Sequence, residues 1–213
     1  MKALQIRGIT KAYGKNIVIK DFDLDVEEQE FVCIIGESGC GKSTLLNMIG
    51  ELEKPDQGTI TYFDKKGYPP YSRGAEKLLR YEIGYLFQNF ALVDDESVYR
   101  NLEMALTYQK GNKKDKIMKA LEEVGLSGFE NKKVYQCSGG EQQRIAIARL
   151  LLKPCRIILA DEPTGSLDPH NKQIVMELLK KMKQSGKTII VVTHDKEVSE
   201  IADRVLTLTK LTK

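Results

Sequence analysis

No run of apolar residues in this 213-residue chain approaches the roughly 20 that a membrane-spanning helix needs. The strongly apolar stretches are as short as Ile157–Ala160 and Ile189–Val192. The opening residues MKALQIRG hold no apolar segment of the kind an export signal requires. Cysteines are few, and Cys33, Cys40, Cys137 and Cys155 form no CxxC pair and no cluster with histidine. That excludes a sequence-evident metal site and, with no export signal, argues against a disulfide framework. The expected compartment is therefore a reducing cytoplasm. A strong charge of one sign is also missing, since 33 Lys+Arg stand against 30 Asp+Glu for a net +3. Nucleic acid demands a concentrated basic face, so no nucleic-acid partner is expected. Contact with an anionic membrane is permitted but not required, and any membrane link must go through a partner. Internal repeats and low-complexity linkers are absent as well.

What is present is enough for a buried core, 41% hydrophobic residues, in one large domain with room for an inserted subdomain. Ala3–Ile9, Ile17–Val26 and Phe31–Ile35 read as strands, rich in β-branched residues and broken by turn signals at Gly14 and Glu27–Glu28. A helix is expected over Lys42–Ile49, a turn at Pro55–Gly58, a strand over Thr59–Phe63, a loop at Tyr68-Pro69-Pro70 and a strand over Ile83–Phe87. From about Asn89 to Gln136 the character changes to two charged helical patterns, Ser97–Gln109 and Lys113–Val124. Lys110, Lys113, Lys114, Lys116 and Lys119 crowd this stretch and read as a solvated helix face. After Ser138 come a helix to Leu152, a strand over Arg156–Ala160 and a helix from Asp168-Pro169, a cap followed by proline at the first helical position. A strand over Lys187–Val192, another helix and a strand over Arg204–Leu208 follow. Apolar strands alternating with helices predict an α/β fold with a parallel sheet covered on both faces.

Gly36-Glu37-Ser38-Gly39-Cys40-Gly41-Lys42-Ser43 matches the phosphate-loop pattern between a strand and a helix. Its glycines let backbone amides curl around phosphate oxygens, and the following helix N-terminus adds positive potential. Lys42 supplies a point charge to the terminal phosphates, Ser43 a hydroxyl for Mg²⁺, and Thr44 continues the binding run. Cys40, close to Lys42 and a helix N-terminus, reads either as a thiolate-prone group that ATP would protect or as an inert small loop residue. A phosphate loop serves ATPases and GTPases alike. Asp64-Lys65-Lys66-Gly67 and Asn112-Lys113-Lys114-Asp115 formally match two GTPase motifs. The first reads more simply as a hairpin turn, and the second follows Tyr108-Gln109-Lys110-Gly111 between helices rather than an apolar strand.

The apolar strand before Asp161-Glu162 places two acids at one strand tip. Asp161 is positioned to hold the shell of Mg²⁺. Glu162, one residue on and pointing elsewhere, suits a general base for water, a role that contributes about 10²- to 10⁴-fold.

Cys137-Ser138-Gly139-Gly140-Glu141-Gln142-Gln143-Arg144 is the most informative stretch. Ser138 and Glu141 form a capping box, and a capped, glycine-rich helix start is an anion site. The stretch resembles the signature motif of ABC transporter ATPases, and the resemblance covers nearly the whole chain in the family's order. It implies a P-loop NTPase core with a mostly parallel sheet, an N-terminal antiparallel β subdomain and an inserted α-helical subdomain. The whole of 1–213 is then one ATPase domain, with 1–88 and 155–213 forming the core and its β subdomain, and 89–154 the helical part that carries the signature. The resemblance makes Tyr13 the aromatic that stacks on adenine, Gln88 a Mg²⁺-sensing residue that couples to the membrane domain, and Asp168 part of a loop crossing a dimer interface. It makes His194 the histidine that contacts the γ-phosphate. ATP and Mg²⁺ are the implied cofactors. Ser138, Gly139 and Gly140 would meet the γ-phosphate held by a second ATPase subunit, so that ATP closes a dimer, expected to be a homodimer, and hydrolysis opens it.

Cys137 and Glu141 stand where the family usually has leucine and glutamine, which bears on the tuning of the interface. The stretch YQCSGGEQQRIAIARLLLKPCRIILADEPTGSLD looks like the lipoprotein-release, macrolide-efflux and antimicrobial-peptide group. Members of that group pair with permeases bearing large extracytoplasmic domains. LRYEIGYLFQNFALVDDESVYRNL looks most like bacteriocin-export or peptide-resistance ATPases. The implied location is the inner face of the cell membrane, held there by an integral-membrane permease. The rivals are a regulatory ABC ATPase of the cell-division type and a P-loop GTPase. ABC proteins acting on ribosomes or DNA usually carry a second cassette or a long coiled coil, and neither is seen in this sequence.

Overall fold

Strand parity sorts the core of this chain onto two faces of one sheet. The computed structural model describes residues 1–211. Five strands, β3 (Phe31–Ile35), β6 (Ile83–Leu86), β7 (Ile157–Asp161), β8 (Thr188–Val192) and β9 (Arg204–Thr207), pair in the order β6-β7-β8-β3-β9. Every pairing in it is parallel. Side chains alternate along a strand, so Ile157 and Leu159 face one core while Ile158 and Ala160 face the other. Both faces are covered, which is why β7 and β8 read as unbroken apolar runs.

One face packs on α1 (Lys42–Ile49) and on an antiparallel sheet. That sheet runs β2-β1-β4-β5, from β1 (Lys2–Tyr13), β2 (Asn16–Glu27), β4 (Gln57–Tyr62) and β5 (Lys65–Lys66). The other face packs on α3 (Val98–Glu103), α4 (Lys113–Glu123), α5 (Gly139–Leu152), α6 (Pro169–Gln184) and α7 (Lys196–Glu200). Among the described residues no strand lies between β6 and β7. The helices there share one continuous core with Leu86, Ile158 and Val175.

The expected elements are present, with instructive differences at their edges. The pattern Ser97–Gln109 forms only α3 and then a 3₁₀ turn at Met104–Leu106. One helix escaped the sequence reading: α2 (Arg73–Tyr81), capped by Ser72, whose hydroxyl accepts from the Ala75 amide at 3.2 Å. It buries little more than Ala75 and Leu78, so its apolar stripe is too thin to stand out.

The two GTPase-like motifs resolve as local structure. Tyr62 pairs with Lys65 across a two-residue hairpin whose Phe63 and Asp64 both have positive φ, 46° and 63°. Asn112 caps α4, its side chain accepting from the amides of Lys114 and Asp115.

Candidate nucleotide site

β3 delivers the chain into the loop Gly36–Gly41 and α1 carries it away, as the phosphate-loop reading requires. Gly39 and Gly41 take φ of +76° and +102°, the left-handed region that turns successive amides inward. Gly41 also has no room for a side chain, since a Cβ there would lie 2.7 Å from Val18 Cγ1. Lys42 Nζ donates to the carbonyls of Gly36 at 2.8 Å and Glu37 at 3.1 Å, which holds its ammonium over the loop. A cleft of about 740 Å³ opens here, lined by Lys42, Ser43, Thr44, Gln88, Glu162 and His194, with Ser38 and the loop glycines as its floor. Val18 of β2 forms an apolar wall that sequence reasoning missed, because nothing in its own neighbourhood marks it.

At the tip of β7 the two acids part company. Asp161 points toward the loop. Burial pushes its carboxyl up from the usual range, while the Ser43 hydroxyl pulls it back, Glu162 adds to the rise and Lys42 opposes it. Its Oδ1 is buried without a hydrogen-bond partner. Glu162 adopts φ +45°, strained for a residue with a Cβ, and this swings its carboxylate the other way. Thr193 Oγ1 donates to Glu162 Oε2 at 2.8 Å, and His194 Nδ1 lies 2.9 Å from Oε1. A carboxylate only accepts, so Nδ1 carries the hydrogen and Nε2 is left for the cleft. Thr193, fully buried at the end of β8, is a positioning group the sequence reading passed over.

The structure fits Mg²⁺ and a nucleoside triphosphate on its own terms. Among the described residues no group of three or more His, Cys, Asp or Glu forms a metal site. The donor set is instead one hydroxyl, Ser43, and one buried carboxylate oxygen with no partner, on Asp161. Hard oxygen donors in so small a number suit Mg²⁺, which keeps several waters and takes phosphate oxygens for the rest. Gln88, in the turn after β6, lines the same cleft and also neighbours Asp161.

The thiol of Cys40 turns inward, 1% exposed within the core around α1, and Cys40 does not line the cleft. Burial of that thiol favours the inert reading of Cys40. Tyr13 stands at the rim rather than in the cleft. It is half exposed, with its hydroxyl donating to Glu53 Oε1 at 2.5 Å and Thr44 close by.

The second cluster lies elsewhere on the molecule. Ser138 caps α5, its Oγ accepting from the Glu141 amide at 3.3 Å and its amide donating to Glu141 Oε2 at 2.6 Å. Nothing lies within 4 Å of a Cβ built on Gly139, whereas one on Gly140 would meet Asn171 Cγ at 2.3 Å. Asn171 is tied to Asp168, Nδ2 to Oδ2 at 2.5 Å. The Asp168 carboxyl is held below its usual range by that side chain and by the amides of Asn171 and His170. None of Ser138, Gly139, Gly140 or Asp168 lines the cleft that holds Lys42 and Glu162.

Comparison with known proteins agrees with this geometry. The family model of the ABC transporter matches residues 19–165. The spermidine/putrescine import ATP-binding protein PotA of Acetivibrio thermocellus is 40% identical over 200 residues, covering 91% of this chain and 54% of that protein. The macrolide export ATP-binding/permease protein MacB of Agrobacterium fabrum is 39% identical over 210 residues, 95% of this chain and 32% of that protein. The chain thus spans about half of the first of these relatives and about a third of the second. Among solved structures, the dimeric bacterial ABC transporter cassette MJ0796 superposes with a TM-score of 0.89 at 37% identity, covering 97% of this chain and 94% of that one. A post-hydrolysis dimer of the same cassette, bound to ADP and Pi, gives 0.88.

Proposed function

The chain belongs to the ABC transporter ATP-binding family, whose members are ATPases coupled to transport, and on that premise we propose that two copies of it close on two MgATP to drive a membrane permease. The observation that carries this reading is the separation within one chain. Lys42, Ser43 and Glu162 share a cleft, while Ser138 and Gly139, a capped anion site with open space before it, lie outside it. A site that needs both clusters is complete only when a second copy supplies its Ser138.

In this arrangement the loop amides and Lys42 hold the phosphates, and Tyr13 at the rim supports the base. Ser43, Asp161 and Gln88 would hold Mg²⁺, which when bound neutralises charge on the phosphates. Glu162 takes the proton of the attacking water at Oε1 or Oε2. His194, fixed through Nδ1, presents Nε2 to the γ-phosphate. Thr193 keeps the Glu162 carboxylate from turning away. The helical stretch 89–154 serves as the part that brings Ser138 to the partner and meets the permease near Gln88. The cargo we favour is an exported antimicrobial peptide or lipophilic compound, handled by a permease that bears a large extracytoplasmic domain and holds this ATPase at the inner face of the membrane. The macrolide exporter among the relatives supports export, and the polyamine importer at similar identity is the reading it must displace.

Mixing two inactive chains tests the shared site. Lys42→Ala spoils one half and Ser138→Arg the other. Each alone is expected to be inactive, and the mixture to regain hydrolysis, because each mixed dimer contains one intact composite site. Activity of either variant alone, or no regain on mixing, contradicts the proposal.

A further inference from the structure

Two neighbouring residues without glycine's freedom, Phe90 and Ala91, have φ of +62° and +49°. They sit in the turn just after Gln88. The reason for the turn lies in what it connects. Phe87 packs on the core around α1, its ring stacked 4.0 Å from that of Tyr85. Phe90 packs on the other core, with the helices. Within three residues the chain crosses from one face of the sheet to the other, and Gln88 is exposed at the crossing. Left-handed backbone at two such residues persists only where the surroundings impose it.

Beside its own bonds, from the Phe90 amide to the Phe87 carbonyl and from the Ala91 amide to the Asn89 carbonyl, the turn is gripped by Arg149. Its Nη2 donates to the Phe90 carbonyl at 2.8 Å, and its Nη1 donates to the Ala91 carbonyl. A planar guanidinium with fixed donors suits two adjacent carbonyls as a lysine cannot. Arg149 lies in the last turn of α5, the helix that Ser138 caps at its other end. One rigid helix of 14 residues, about 21 Å long, therefore bears the signature at its start and grips the Gln88 turn at its finish.

We infer that Arg149 is a positioning residue for Gln88: it holds the Phe90–Ala91 turn in its left-handed form and so ties the placement of Gln88 to that of the signature helix. The inference rests on the reading of Gln88 as a site residue. Without the clamp the turn relaxes toward negative φ and Gln88 leaves the cleft.

The test measures hydrolysis as kcat and KM for ATP, and the half-saturating Mg²⁺ concentration, for the full chain and its Gln88→Ala, Arg149→Met and Gln88→Ala/Arg149→Met variants. Arg149→Met is expected to lower kcat about tenfold and to weaken the Mg²⁺ response as Gln88→Ala does, with KM for ATP changed less than about twofold. The double variant is expected to be no slower than Gln88→Ala, since both changes remove one function. Adding Ala91→Gly to Arg149→Met is expected to recover at least about threefold of the loss, because glycine takes the left-handed form unaided. If Arg149→Met does not fold, Arg149→Lys, which cannot span both carbonyls, carries the same comparisons. If Gln88→Ala slows hydrolysis but Arg149→Met slows it by an equal further factor in that background, the positioning role is overturned. If Gln88→Ala itself leaves the rate and the Mg²⁺ response unchanged, the reading of Gln88 fails, and the inference with it.

Discussion

His194 Nδ1 and Glu162 Oε1 lie 2.9 Å apart, joining the ends of two neighbouring strands across the mouth of the cleft. The pair is kept in register by Thr193, which donates to Glu162 Oε2 and accepts from the Asp195 amide at 3.1 Å. Removing the imidazole therefore removes both a polar group facing the cleft and an anchor for Glu162. His194→Ala is expected to lower kcat at least about 10²-fold, with ATP affinity changed far less. Thr193→Val, which keeps the shape and loses the donor, is expected to give a smaller loss in the same direction. Steady-state kinetics beside equilibrium nucleotide binding separates the two effects.

The glycines of the signature make a contrasting pair. Gly139 faces open space, so Gly139→Ala is expected to change folding stability by less than about 1 kcal/mol. It is also expected to weaken ATP-dependent dimer formation. Gly140→Ala drives a methyl into Asn171 and displaces its link to Asp168, so it is expected to lower stability more than Gly139→Ala does. In an Asn171→Ala background that extra loss is expected to vanish. Denaturant titrations of the four chains provide the cycle.

Cys33 in β3 is fully buried, and burial, helped by the nearby carboxylates of Glu162 and Asp195, pushes its thiol from 9.0 up to about 11. The fold thus favours the neutral thiol. Its contribution is fully present below the unfolded value and is lost as pH rises between the two, up to about 3 kcal/mol. Urea titrations are expected to show stability falling from pH 9 to 11, with a shallower fall in Cys33→Ala. An equal slope in the two chains removes Cys33 as the cause.

How much of this was legible in the chain depends on whether partners are close in sequence. The phosphate loop is contiguous, and the Ser138–Glu141 capping box spans four residues, so both could be read directly. The unbroken apolar run Ile157–Ala160 gave a strand buried on two faces. The two GTPase-like motifs were settled by local context, a hairpin and a helix cap. What could not be read is whatever depends on direction or distance. Cys40 is in the loop, but which way its thiol turns is set by packing against the core around α1. Val18 reaches the cleft only because β2 folds beside the loop. Arg149 grips carbonyls 58 and 59 positions away, and backbone partners leave no mark on residue type. Glu162 was readable as an acid but not as a strained one, since nothing in its residue type marks a φ of +45°.

The central claim, that Glu162 drives hydrolysis in a site shared by two copies, is tested most directly by one measurement. Sedimentation of Glu162→Gln with MgATP, alongside its hydrolysis rate, reports both halves at once. The account predicts that hydrolysis falls at least about 10²-fold while a stable dimer appears that needs ATP and is lost when Ser138→Arg is added. A Glu162→Gln chain that hydrolyses at the normal rate, or one that stays monomeric with ATP bound, contradicts it.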